Sequence, residues 1–107
     1  MSLYQAGTGA LAASVQVRTG AAADPDPLGF TYQDLATQVT LAADTTYVLV
    51  STETSGGDPF FDADTVVHLA PGITDDGAAW RSGSSGSFTE YTSDPGQSYG
   101  PVSLLTG

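Results

Sequence analysis

The chain has 107 residues, a net charge of −10 and no cysteine. Its length fits one domain, because domains cluster near ~100–150 residues. The charge argues against phosphate backbones and anionic membrane surfaces as partners, and the missing thiols exclude disulfides, thiolate metal sites and cysteine nucleophiles.

Charged residues make up only 13% of the chain, about half the usual share of ~25%. Twelve acids face two arginines, Arg18 and Arg81, and there is no lysine. Ser, Thr and Gly carry the polar load instead, the texture of a secreted β-protein. A salty or divalent-rich surrounding would screen the self-repulsion of so acidic a chain, and an ordinary extracellular medium also fits. No apolar run approaches the ~18–20 residues of a membrane-spanning helix. Met1 is not followed by the basic and apolar regions of a signal peptide, so a mature segment or another export route is expected.

The elements follow in chain order. "TGALAAS" (Thr8–Ser14) is the one helical candidate and is too short to stand alone. "SVQVRT" (Ser14–Thr19) alternates apolar and polar residues with the period of a half-buried strand. "GFTYQDL" (Gly29–Leu35) and "QVTLAA" (Gln38–Ala43) predict two more strands, ended by "DTT", where Asp44 suits an Asx-turn. "TYVLVSTE" (Thr46–Glu53) carries the strongest strand signal, β-branched and aromatic through its centre. "TVVHLA" (Thr65–Ala70), "AAWRSG" (Ala78–Gly83), "SFTEYT" (Ser87–Thr92) and "GPVSLLT" (Gly100–Thr106) complete the set. Turn signals separate them: "GTG" at 7–9, "DPDPLG" at 24–29, "SGGDP" at 55–59, "PGITDDG" at 71–77, "GSSG" at 83–86 and "DPG" at 94–96. Roughly eight short strands with this punctuation predict an all-β fold, an antiparallel β-sandwich of jelly-roll type formed as a single domain over 1–107.

The stretch Thr40–Asp64, "TLAADTTYVLVSTETSGGDPFFDAD", resembles a β-sandwich module of secreted bacterial proteins. The shared pattern is "T-T-Y", a strand ending "S-x-E-T", then "G-G-D", an aromatic pair and "D-x-D-T". "TGALAASVQV" (Thr8–Val17) is similar to that module's early turn and strand, "AAW" (Ala78–Trp80) to its penultimate region, and "SYGPVSL" (Ser98–Leu104) to its closing strand. The resemblance implies a jelly-roll or galactose-binding-like sandwich on a bacterial carbohydrate-active or adhesive surface protein. Two departures stand out. Phe60-Phe61 replaces the module's Trp-Tyr, which removes the hydrogen-bonding ring tips. Only "MSLYQA" precedes the early turn, where the module has further strands. A sheet lacking them would expose an edge for pairing.

Two sets of residues carry candidate chemistry. Asp58, Asp62 and Asp64, with Glu53, offer the oxygens that calcium requires. In an extended "DAD", the carboxylates of Asp62 and Asp64 share one face. The spacing is not that of an EF-hand, and a plain acidic turn fixed by Glu53 accounts for the same residues. Asp75-Asp76 reads as a turn. The second set is aromatic: Trp80, Tyr91, Tyr99 and Phe61, with Arg81 beside Trp80 as a donor to a ligand hydroxyl or carboxylate. Such rings stack on the apolar face of a sugar, and a core role for the single Trp is the competing reading.

Catalysis is not expected. Glu53 and Glu90 are the only glutamates, and nothing in their spacing makes them converge as hydrolysis would need. His68 reads as a strand residue, and "GSSG" lacks the strand–turn–helix setting of a nucleophile elbow. The expectation is a non-catalytic extracellular module that binds carbohydrate or a cell-surface polymer, with calcium as a candidate cofactor. The alternative is a self-assembling subunit of a surface filament or layer. There "MSLYQAG" or "PVSLLTG" would add a strand to a neighbouring chain.

Overall fold

A computed structural model describes residues 1–18, 25, 27, 30–52, 67–83 and 87–91. The chain divides into two compact units, Met1–Thr52 and Glu53–Gly107, and each is taken by itself. The described residues are all-β: five short strands in antiparallel sheets, and no helix. No helix among them is long and apolar enough to cross a membrane.

The first unit is a three-stranded sheet in the order β2-β1-β3, built from β1 (Ser2–Gln5), β2 (Leu11–Ser14) and β3 (Tyr47–Val50). The central strand comes from "SLYQ", in one of the two segments that the alternative self-assembly reading offers to a neighbouring chain. Instead β2 and β3 flank it on both sides. The ladder runs past the strand ends. Val15 N–H donates to the Met1 carbonyl at 3.0 Å, the Met1 nitrogen donates to the Val15 carbonyl at 2.8 Å, and Ala6 N–H donates to the Thr46 carbonyl at 2.9 Å.

The "GTG" signal marks the β1–β2 turn. Gly9 N–H donates to the Gln5 carbonyl at 2.8 Å, and Gln5 N–H donates to the Ala10 carbonyl at 2.9 Å. Two residues thus oppose one, with Gly9 at φ 69°, as in a glycine-led bulge. Thr8 closes the turn: its hydroxyl donates to Gln5 Oε1 at 3.1 Å and accepts from Ala10 N–H at 3.2 Å. "TGALAAS" is therefore turn and strand, and the weak helical signal yields to cross-strand pairing.

A second bulge has a larger effect. Leu3 faces Ala13, but Tyr4 faces Leu11, so Ala12 is an extra residue in β2. Strict alternation would put Leu11 on the face of Ala13. The insertion moves it to the opposite face, where it is 56% exposed. Leu3 sits in register between Ala13 and Leu49 and is the buried apolar side chain of the described residues, at 7% exposure. All four residues of β3 are half-buried. Beyond β2, Val15 and Val17 stay half-buried while Gln16 and Arg18 are exposed. The alternation in "SVQVRT" survives although the assigned strand stops at Ser14.

The segment before β3 departs from expectation. Residues 30–42 are irregular rather than two strands, with Tyr32, Val39 and Leu41 exposed. Alternation marks a stretch that can form a strand, but a strand exists only where a neighbour completes its hydrogen bonds. No described strand pairs with this stretch. Its turn does form: Asp44 takes φ 49°, a left-handed conformation that Asp tolerates. The Thr45 hydroxyl donates to the Ala43 carbonyl at 2.9 Å, and the Tyr47 hydroxyl accepts from Ala42 N–H at 3.0 Å.

In the second unit, β4 (Ala78–Trp80) pairs with β5 (Thr89–Tyr91). The expected strand over 65–70 is irregular at 67–70, and His68 is exposed there rather than packed in a sheet. Ile73 N–H donates to the Ala70 carbonyl at 3.2 Å, closing a turn over Pro71-Gly72 with Gly72 at φ 84°. Proline followed by a positive-φ glycine is the signature of a type II turn. "DDG" forms an Asx-turn, in which Gly77 N–H donates to Asp75 Oδ1 at 3.1 Å and so leads the chain into β4. The predicted strand at 100–106 lies outside the described residues.

Candidate functional site

Three of the expected ligand residues come together on one hairpin. "AAW" and "TEY" pair as Ala78 with Tyr91, Ala79 with Glu90 and Trp80 with Thr89. Eight residues, 81–88, lie between the strands, and the six from 82 to 87 are Ser and Gly throughout. Small residues there leave the register to the strands, where Trp80 and Thr89 are cross-strand neighbours.

Trp80 is 46% exposed. The indole is therefore only partly covered, as a semi-core Trp would be as well as a ligand platform. Tryptophan is a large apolar side chain that folded proteins mostly cover, so a half-open indole beside a threonine leaves an apolar surface with a hydroxyl-bearing neighbour.

Arg81 follows Trp80 in sequence but meets a different partner. Its guanidinium carbon lies 4.4 Å from the centroid of the Phe88 ring, close enough for attraction between the cation and the ring face. Trp80 and Thr89 thus end the ladder as cross-strand partners, and Arg81 and Phe88, just beyond the strand ends, meet each other. Reading along the sequence finds Trp80 and Arg81 but misses Phe88 and Thr89. Both become visible once "AAWR" is laid antiparallel to "FTEY".

Tyr91 holds the ladder position opposite Ala78. Tyr99 and Phe61 lie outside the described residues, and so does the whole candidate calcium set, Glu53, Asp58, Asp62 and Asp64. Among the described residues no group of three or more His, Asp or Glu side chains converges to hold a metal ion. The Asp75 carboxylate is engaged by the Gly77 N–H in its turn. Glu90 is exposed and faces Ala79 across the ladder.

No protein-family model, curated protein or solved structure matches the chain.

Proposed function

We propose that the chain is a non-catalytic, extracellular carbohydrate-binding module whose platform is the β4–β5 hairpin. The observation that supports this most is the half-exposed indole of Trp80 paired with Thr89. A sugar ring offers an apolar C–H face and a rim of hydroxyls. An indole takes the first and a neighbouring hydroxyl the second. The acidic, lysine-free composition agrees with a module kept soluble by its charge at a cell surface.

The finer fold we propose is a jelly-roll sandwich, completed by the strand signals that lie outside the described residues. Calcium at Asp58, Asp62, Asp64 and Glu53 remains part of the proposal on the strength of the sequence. An ion that binds only the folded chain raises its stability by RT ln(1 + [L]/Kd). Millimolar calcium should therefore raise the unfolding midpoint measured in chelator, and Asp62→Asn with Asp64→Asn should remove the rise.

The test of the binding reading is Trp80 fluorescence titrated with a panel of soluble glycans, alongside light scattering for size. A monodisperse chain whose Trp80 emission responds saturably to a glycan supports the module. A large assembly whose emission answers to none would sink it in favour of a structural subunit.

A further inference from the structure

We infer that the glycan accepted at Trp80 is uncharged, and that uronate-, sulfate- or phosphate-bearing polymers are refused. This inference rests on the carbohydrate-binding reading and narrows its ligand class.

The argument begins with the cations. An acidic polysaccharide needs positive groups at its binding face to offset desolvation of its own charge. The chain has two arginines and no lysine. The arginine on this hairpin, Arg81, is half-buried with its guanidinium over Phe88. The cross-strand neighbour of Trp80 is Thr89, an uncharged donor and acceptor suited to a sugar hydroxyl. The charged residue next along β5 is Glu90, which is exposed and pairs with Ala79; by alternation it lies on the face away from Trp80 and Thr89, so it adds only to the general negative charge.

The whole-chain field points the same way. A net charge of −10 repels a polyanion over a Debye length of about 10 Å at 0.1 M salt. A neutral glycan meets no such repulsion, and its stacking on an indole is insensitive to salt. The composition therefore selects by sign: it leaves stacking and hydroxyl contacts intact while penalising every acidic repeat.

Matched pairs of oligosaccharides test this, with glucan, galactan and mannan oligomers set against glucuronate, galacturonate and mannuronate oligomers of equal length. Binding is read by Trp80 fluorescence and calorimetry at low and high salt, for the wild type, Trp80→Ala and Trp80→Phe. The expected result is saturable binding of at least one neutral oligomer, strongly weakened in Trp80→Ala and partly kept in Trp80→Phe. The matching uronate should bind at least about tenfold more weakly at low salt, and the gap should narrow as salt screens the repulsion. A uronate that binds as tightly as its neutral partner, through Trp80, overturns the inference and leaves the carbohydrate reading standing. Uronate binding that is lost in Arg81→Met overturns it too, because Arg81 would then face the ligand. If no oligomer of either series perturbs Trp80, the carbohydrate reading falls and the inference with it.

Discussion

Leu3 and Leu11 are the same residue type on paired strands, and the bulge at Ala12 gives them opposite fates. Leu3 is 7% exposed, between Ala13 and Leu49, while Leu11 is 56% exposed. Burying a leucine side chain is worth about 1.5–3 kcal/mol. Truncation to alanine loses most of that and adds a cavity term, for a usual total of about 2–5 kcal/mol. The neighbours of Leu3 in the ladder are small (Ala13) or half-buried (Leu49), so the site can partly close, and the lower end, about 2–3 kcal/mol, is expected. At about 4–8 °C per kcal/mol for a small domain, Leu3→Ala should lower Tm by about 8–24 °C. Leu11→Ala should stay within about 0.5 kcal/mol of the wild type. Urea unfolding with linear extrapolation measures both, and an unchanged slope would show that only stability moved. Equal costs at the two positions would refute the bulged register. A near-neutral Leu3→Ala would refute the placement of Leu3 in the core.

Three further perturbations probe the turns and the central strand. Removing Met1–Ala6 deletes β1, which holds β2 and β3 together. The truncated chain should lose cooperative unfolding of its first unit even at concentrations where the intact chain is monomeric, and calorimetry checks this. Gly9→Ala should cost about 1–2 kcal/mol from the left-handed backbone alone, since a Cβ there meets nothing within 4 Å at φ 69°. Gly7→Ala, in equally open space but without a positive φ, should be neutral or slightly stabilising, and chemical denaturation separates the two. Asp75→Ala removes the acceptor of the Gly77 N–H and should cost about 0.5–1.5 kcal/mol, with Asp75→Asn retaining most of it.

The punctuation of the chain was more legible than its strands. "GTG", "DTT", "PG" and "DDG" all form turns, because the residues that permit a left-handed or Asx conformation act locally and need no partner. The strands at 47–50, 78–80 and 89–91 were legible for a related reason: their signals lie near a turn or carry dense β-branched and aromatic residues. The opposite errors at 1–6 and 30–43 share one cause. "SLYQ" has too little alternation to announce itself, yet it forms the central strand because two neighbours complete its hydrogen bonds. "GFTYQDL" and "QVTLAA" alternate well, yet 30–42 is irregular where no described strand pairs with it. Alternation reports what a sheet would accept, and pairing decides what it takes.

The same distinction governs the candidate site. In sequence, "WR" reads as one motif, a stacking ring with a donor beside it. In a strand, neighbours point apart and partners come from across the ladder, so the motif divides. Trp80 has Thr89 as its cross-strand partner, while the Arg81 guanidinium lies over the Phe88 ring. Under the proposed carbohydrate reading, the indole would supply an apolar platform and Thr89 a neutral rim, with the Arg81 guanidinium engaged at Phe88. On that same reading, register would turn a general binding signal into a preference about charge. A chain with twelve acids and two arginines would then favour uncharged ligands at Trp80 for as long as Arg81 stays with Phe88.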